Sequence, residues 1–342
     1  MRPIQLNRPL YFVKFLPTFA RHKKQQFDLK VYHSIEEIKQ LENPVATIGT
    51  FDGVHLGHRV VIGKLIDLAK KHHTESLLIT FEPHPRIVLN KDARDLRFIN
   101  NPSEKIKLLA NTGIDHLLIL PFTYEFSTIV ARDFIQNYLI DKLHVQAMIV
   151  GYDHHFGHMD ERDEDVCVLL NDYGIDVERI PEQDVMDVSV SSTKIRQAIK
   201  EGDIPRANKF LSYRYGLCGT VIHGNKLGRT IGFPTANLML EYKLKLLPQD
   251  GVYAAWVNFK EHVYPAMLNI GFKPSVKDSK HTIEVHILNF NQLIYGEYLE
   301  VELVKKIRDE KHFQSLSLLK NQLEEDRIAT INIIKEMATK NH

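Results

Sequence analysis

From Val45 to about Val188, short apolar runs alternate with stretches of helical periodicity, and no other feature restricts the fold of this chain as strongly. The runs at 45–49, 76–81, 116–120, 146–150 and 177–180 have the length and aliphatic content of strands. Amphipathic spacing at 58–72, 103–111, 127–143 and 163–173 predicts helices between them. The second of these opens at Ser103 after Pro102 and ends at Thr112-Gly113. Strand–helix alternation of this kind implies a parallel sheet covered by helices. In such sheets ligands sit beyond the carboxyl ends of the strands. Four polar turns follow predicted strands directly: the one at His55, Glu82-Pro83-His84-Pro85, Pro121 onward, and Gly151-Tyr152-Asp153. They should meet at one edge.

Two further helical stretches, 193–200 and 205–211, lead to a change of texture near Tyr213. Beyond it, β-branched and aromatic runs at 216–222, 251–259, 263–270, 282–290 and 298–304 are separated by glycine-containing turns, which suggests a small antiparallel barrel. A last helix carries the apolar stripe Leu316, Leu319, Leu323, Ile328, Ile331 and Ile334, expected to pack on the barrel. A length of 342 residues accommodates two such domains. The division should lie near 205–213, giving an extension over 1–28, a first domain over 29–208 and a second over 209–342.

Composition removes several function classes. A formal net charge of +1 gives no reason to expect nucleic acid or an acidic membrane as partner. The two cysteines, Cys167 and Cys218, form no C-x-x-C pair, so a disulfide framework is not expected and a reducing cytoplasm fits. No apolar run reaches the roughly 20 residues of a membrane span. The start is different: up to Gln26 it holds Arg2, Arg8, Lys14, Arg21, Lys23 and Lys24 and no acidic residue. An organellar presequence, a flexible basic tail and sequence upstream of the native start all fit this composition. The last two are preferred, with Leu29 as the native start.

The chemistry concentrates in Thr47-Ile48-Gly49-Thr50-Phe51-Asp52-Gly53-Val54-His55-Leu56-Gly57-His58. It reads as strand, tight turn and helix start. Histidines three apart at a helix start share a face, Gly57 permits close approach of a ligand, and the exposed amides favour an anion. An isolated H-x-x-H is more often an ordinary polar pair at a helix cap; the strand before, the helix after and the glycine between supply the setting that phosphate chemistry needs. A second cluster, Ser191-Ser192-Thr193-Lys194-Ile195-Arg196, offers hydroxyls, an ammonium and a guanidinium fork at another helix start. Alone it is a Ser/Thr cap with solvated charges. With the histidine turn it becomes a second clamp for a triphosphate.

Taken in order, FDGVHLGH, TFEPHPR, LPFTYEFS, VGYDHHFG and VSSTKIRQAI resemble the adenylyltransferase module of bacterial bifunctional riboflavin kinase/FAD synthetases. GFPTANL, GVYAAWV, NIGFKP, EVHILNF, YGEYLEVE and KIRDEKHF resemble the riboflavin kinase module of the same family, so the likeness spans roughly residues 29–335. It implies a Rossmann-like α/β nucleotidyltransferase domain followed by a six-stranded antiparallel β-barrel with a C-terminal helix. The implied activities are ATP-dependent phosphorylation of riboflavin to FMN and adenylylation of FMN to FAD. Alternatives kept beside this are a kinase with a weak or altered nucleotidyltransferase half and a catalytically silent flavin-binding regulator.

The resemblance implies roles residue by residue. Glu284 matches the base that accepts the ribityl hydroxyl proton, and Thr235 and Asn237 match oxygen donors to Mg²⁺. Glycines including Gly224 and Gly228 would let amides wrap the nucleotide, with Arg308 closing the site. In the other half His55, His58, Lys194 and Arg196 would neutralise charge during transfer, and no base is needed because the FMN phosphate is already ionised. Gly49, Phe51, Asp52 and Gly53 shape the turn; Ser191, Ser192 and Thr193 meet phosphate; Phe126, Ser127 and Asp153 line the flavin and nucleotide pocket. The expected partners are riboflavin, FMN and ATP, and the expected state is a monomer or weak homo-oligomer. After Phe156-Gly157 the sequence departs from the family: His158-Met159-Asp160-Glu161-Arg162-Asp163-Glu164-Asp165 is acidic where basic residues and glycine are usual. Ser275 after Lys273-Pro274 and Asn289 after Leu288 are milder changes. The histidines His154, His155 and His158 lack a convincing metal-ligand spacing. Intact-mass measurement on the native protein should give a chain beginning at Leu29; a mass that includes Met1 to Asp28 overturns that assignment.

Overall fold

The computed structural model describes residues 28–89, 96–151, 165–180, 190–224, 227–273 and 280–339. Asp153, the three histidines near it, all of the acidic segment except Asp165, and Ser275 lie outside them.

The first half is built from β1 (Lys30–Tyr32), β2 (Val45–Ile48), α1 (Leu56–Lys71), β3 (Ser76–Glu82), α2 (Pro85–Leu89), α3 (Pro102–Ala110), β4 (His116–Pro121), α4 (Tyr124–Ser127), α5 (Ala131–Phe134), β5 (Ala147–Val150), α6 (Val166–Asp172) and β6 (Asp176–Arg179). The strands form one parallel sheet in the order β1-β4-β3-β2-β5-β6. Alternation along each strand feeds two cores. Val45, Leu78, Leu117 and Ile149 pack with Ile62 and Leu65 of α1. Ala46, Ile79, Leu118 and Met148 pack with Phe134 and Leu170 on the opposite face. The chain reverses its direction across the sheet between β3 and β5, on either side of β2, which places the ligand crevice beyond the end of β2.

Two boundaries differ from expectation. Asn101, one residue before Pro102, caps α3: its side chain accepts from Glu104 N, and the Glu104 carboxylate accepts from Asn101 N. The single helix expected over 127–143 is broken. Thr123 caps the short α4, and Val130 is extended (φ −71°, ψ 152°), so the β-branched run Thr128-Ile129-Val130 separates α4 from α5. A π-helical stretch, Ile135–Ile140, continues α5.

Helices α7 (Ser192–Lys200) and α8 (Ile204–Leu211) lead into the second half, and the division expected at 208/209 falls inside α8. Ser212, left-handed at φ 60°, ends α8. Then follow β7 (Gly216–Ile222), α9 (Leu227–Thr230), β8 (Ala236–Leu240), β9 (Gly251–Phe259), β10 (His262–Lys273), β11 (Lys280–Ile287), β12 (Tyr298–Arg308) and α10 (Leu316–Thr339). The six strands close into an antiparallel barrel, β10-β11-β8-β7-β12-β9. Its β8 is the strand that the apolar runs did not reveal: it is short, and its outward Met239 leaves no clean alternation.

The C-terminal helix packs on the barrel, though not by the expected stripe alone. Leu323 and Ile331 meet Phe233, Met267 and Leu288, whereas Leu316 and Ile328 face solvent. Among the described residues the fully buried helix positions are polar, Asp326 and Thr330. Asp326 takes the Arg308 guanidinium in a bidentate pair, with Nε–Oδ1 2.9 Å and Nη2–Oδ2 2.8 Å. Arg308 therefore ties β12 to α10, and its remaining Nη1 donates to the Asp309 carbonyl (2.9 Å). The guanidinium expected to close the nucleotide site is thus held by α10 and the Asp309 carbonyl in this structure. Removing one partner of a buried pair strands the other charge, so Asp326→Ala should cost about 3 kcal/mol. Urea unfolding checks this, and a loss too small to measure contradicts it.

Candidate active sites

The first site forms where β2 ends. The turn after Ile48 carries positive φ at Phe51 (48°), Gly53 (95°) and Val54 (37°). Such angles are costly for an aromatic and more so for a β-branched residue, so the surroundings must impose them. Phe51 and Val54 are buried, and the Asp52 carboxylate accepts from Ile99 N (3.0 Å) and Asn100 N (3.2 Å). The Tyr213 hydroxyl, from the segment entering the barrel, donates to the Gly53 carbonyl (2.8 Å).

Asp52 also binds Arg196 of α7 (Nη2–Oδ2 2.6 Å), and its backbone carbonyl accepts from Ser192 Oγ (3.0 Å). The two clusters separated by some 140 residues are thus one structure. Ser191 caps α7 by accepting from Lys194 N (3.3 Å). Ser191, Thr193 and Lys194 are exposed on the first turn of α7.

His55 is the N-cap of α1, and its Nδ1 accepts from His58 N (3.3 Å), which leaves the proton on Nε2. The two imidazoles stack with centroids 3.6 Å apart, and His58 meets Phe51 edge-on at 5.2 Å. Burial, followed by the Arg196 charge, pushes His55 down to about 4. Burial, then His55, Lys105 and Arg196, hold His58 well below the ordinary histidine range. Both rings are consequently neutral donors at neutral pH. In this state the two histidines, expected to neutralise charge, offer hydrogen-bond donors instead, because burial disfavours the protonated form.

A cavity of about 480 Å³ opens beside this turn, lined by Gly49, Thr50, Phe51, His58, Phe126 and Ser127 among others. Phe81, Phe122 and Phe126 build one wall, with centroids 5.4 to 5.8 Å apart. An aromatic wall in a cavity that His58 also lines suits a planar ring system that carries phosphate. Phe81 and Phe122 went unmarked among the candidates, although both stand at the carboxyl end of a strand, where the sheet rule would have found them. Lys105, Asn100 and Tyr213 also went unmarked, and each reads as ordinary in isolation.

The second site lies on the barrel. Asn237 of β8 pairs with Glu284 of β11, and Thr235 Oγ1 stands 3.5 Å from Glu284 Oε2. The glycine loop crosses these side chains closely: a Cβ on Gly224 would fall 2.0 Å from Asn237 Nδ2. One on Gly228 would fall 2.1 Å from the Phe233 carbonyl oxygen. At Gly228 the neighbour is backbone, so that position requires glycine, whereas at Gly224 a side chain would force Asn237 to move. His286 donates from Nδ1 to the Pro234 carbonyl (2.7 Å) and anchors the loop end. Thr235, Asn237 and Glu284 offer hard oxygen ligands beside Gly224 and Gly228, a donor set that fits Mg²⁺ held jointly with phosphate. Among the described residues no group of three or more His, Cys, Asp or Glu could hold a metal by itself.

Residues 37–194 match the family model for FAD synthetase, and residues 211–334 match that for riboflavin kinase. A bifunctional riboflavin kinase/FMN adenylyltransferase of Listeria monocytogenes is 36% identical over 83% of this chain and 90% of its own length. The protein of that description from Escherichia coli K12 is 36% identical over 86% of this chain and 94% of its own. A solved structure described as a macrolide-efflux protein from Streptococcus pneumoniae superposes with a TM-score of 0.80 at 33% identity, covering 89% of this chain and 99% of that one. Among the described residues no helix is long and apolar enough to cross a membrane.

The depressed histidines make stability depend on pH with a definite sign. Between their ordinary value of 6.5 and about 4 the unfolded chain binds more protons than the folded one, so stability falls as pH is lowered through that window. Urea midpoints should drop more between pH 7 and pH 5 for the unaltered chain than for His55→Asn, which keeps a capping side chain. Equal drops would contradict the neutral assignment.

Proposed function

The chain belongs to the bifunctional riboflavin kinase/FMN adenylyltransferase family, and on that premise we propose which residues carry each of its two reactions. It phosphorylates riboflavin to FMN and adenylylates FMN to FAD. The observation that carries the residue-level reading is the convergence of His55, His58, Asp52 and Arg196 at one turn, while Thr235, Asn237 and Glu284 gather separately on the barrel.

Residues 29–208 carry adenylyl transfer and residues 209–342 carry phosphorylation, with α8 bridging the two. In phosphorylation an uncharged ribityl hydroxyl attacks the γ-phosphorus of ATP. Glu284 accepts its proton as the new O–P bond forms and ADP departs. Thr235 and Asn237 would hold Mg²⁺, which when bound offsets phosphate charge. Gly224 and Gly228 let the loop backbone lie against the nucleotide.

Adenylyl transfer needs no base. An oxygen of the FMN phosphate bonds to the α-phosphorus of ATP as the bond to the β-phosphate oxygen breaks, and pyrophosphate leaves with the electron pair. His55 and His58 donate hydrogen bonds to the α-phosphate, Arg196 is aimed by Asp52, and Lys194 with Ser191, Ser192 and Thr193 meets the outer phosphates. Gly49, Phe51, Gly53, Phe126 and Ser127 shape the pocket that takes the ring systems. Asp153 is assigned to the same pocket by family likeness alone. The cytoplasm is the assigned compartment, and the working unit is a monomer or weak homo-oligomer whose partners are its substrates.

Incubation with riboflavin, ATP and Mg²⁺, followed by chromatography, should yield FMN and then FAD. Glu284→Gln should abolish FMN formation and spare FAD formation from supplied FMN. His58→Ala should do the reverse, with a loss on the order of 10²-fold, as for removal of a donor to developing charge. Equal loss of both activities in either variant rejects the division of labour.

A further inference from the structure

The adenylyl-transfer turn has a cation beneath it to which the reaction, as derived, gives no role. Lys105 sits on the first turns of α3, where its neighbour Glu104 closes the capping box. Lysine there would ordinarily point to solvent. Instead Lys105 is 8% exposed, and its Nζ donates to the Thr50 carbonyl (3.4 Å) and to Thr80 Oγ1 (3.3 Å). Thr80 Oγ1 lies 3.4 Å from the same Thr50 carbonyl and closes the triangle. Thr50 lines the cavity and stands between Gly49 and the strained Phe51.

No carboxylate lies within ion-pair distance of Lys105 among the described residues, although Asp52 and Glu82 act on it at longer range. An ammonium buried with two long neutral contacts is expensive to keep, and packing alone gives no reason to keep it. Burial lowers its affinity for a proton, and the Glu82 and Asp52 charges partly restore it. Other charged or titratable groups near this corner include His55 at the N-cap of α1, His58 of α1, His84 before α2, Arg86 of α2 and Arg196 of α7. The imidazoles of His55, His58 and His84 are pushed toward the neutral form by burial, and Arg196 is already paired with Asp52. Lys105 is thus a buried ammonium beside the turn that has no ion pair among the described residues and is held by two neutral oxygens.

We propose that Lys105 is a positioning residue for FMN adenylylation, holding Thr50 in place and supplying from below the turn the buried positive charge that the incoming triphosphate completes. This rests on the assignment of that cavity to adenylyl transfer. Charge placed before the substrate arrives needs no reorganisation during the reaction, which is where a fixed cation in a dry site acts most strongly. The arrangement also explains how a turn with neutral histidines attracts a polyanion.

Full-length Lys105→Met and Lys105→Arg test the proposal against the kinase half of the same chain as internal control. Lys105→Met should lower the adenylylation kcat and weaken binding of inorganic pyrophosphate, measured by calorimetry, by about tenfold or more each. Lys105→Arg should recover most of both. Riboflavin phosphorylation should stay within about twofold, and the melting temperature of Lys105→Met should be unchanged or higher, since an apolar side chain of similar length replaces a desolvated charge. A residue that only supports the fold would lower the melting temperature on such a change. Adenylylation and pyrophosphate affinity within about twofold of the unaltered chain would overturn the proposal, as would joint loss of both activities and of stability without rescue by arginine. Failure of the unaltered chain to make FAD from FMN and ATP would reject the assignment of the cavity; pyrophosphate binding would still report on the charge of Lys105.

Discussion

The Asp52 carboxylate is the contact on which the first site depends. It accepts two amides of the loop before α3 and the guanidinium of Arg196, and the carbonyl of the same residue accepts from Ser192. A buried carboxylate is tolerable only when its lone pairs are occupied. Meeting that demand draws the end of β2, the loop before α3 and the start of α7 to one point. The positive φ angles at Phe51 and Val54 persist because this network and the surrounding core leave the turn no alternative. The turn is thereby pinned from three elements at once.

The two halves solve different chemical problems with different materials. An alcohol nucleophile must lose a proton, and the barrel answers with one half-buried carboxylate, Glu284, between Thr235 and Asn237 under a loop of glycines. A phosphate nucleophile brings its own charge, and the parallel sheet answers with neutral imidazole donors, an aimed guanidinium and an aromatic wall. Neutral histidines suit such a transfer, because a fixed tautomer donates its hydrogen bond in one direction and has no second proton to lose to the attacking phosphate.

These halves are joined by more than a linker. Lys245, from the barrel side, reaches the Ile99 carbonyl (2.7 Å) and Glu104 (2.5 Å), and its ammonium lies 4.6 Å from the Tyr215 ring centroid. Phe98 exchanges backbone hydrogen bonds with Leu244 and Leu246 at 2.8 Å, and Asn101 donates to Cys218. A single apolar cluster runs from Val45 in the sheet to Leu303 in the barrel. The loop that Asp52 holds is therefore held from the other side by the kinase half, so the geometry of one site is fixed in part by residues of the other domain.

Much of this was legible in the chain itself, because it depends on local periodicity and local backbone geometry. Five of the six parallel strands came within one or two residues of their observed ends, the edge strand β1 not being among the predicted runs, and the H-x-x-H turn and the Ser/Thr-rich helix start were recognisable from the residue types that cap helices and meet anions. The broken helix after Thr123, the unmarked β8 and the solvent-facing Leu316 and Ile328 were not legible, since each was decided by what lies across the interface. Sequence could nominate Arg308 and the histidines as cations. Only the folded chain could give Arg308 to Asp326, hold the imidazoles neutral and bury Lys105 under Thr50. Spacing along a chain fixes which side chains share a helix face or strand face; charge state and pairing depend on desolvation and on neighbours brought from far away, and those exist only after folding.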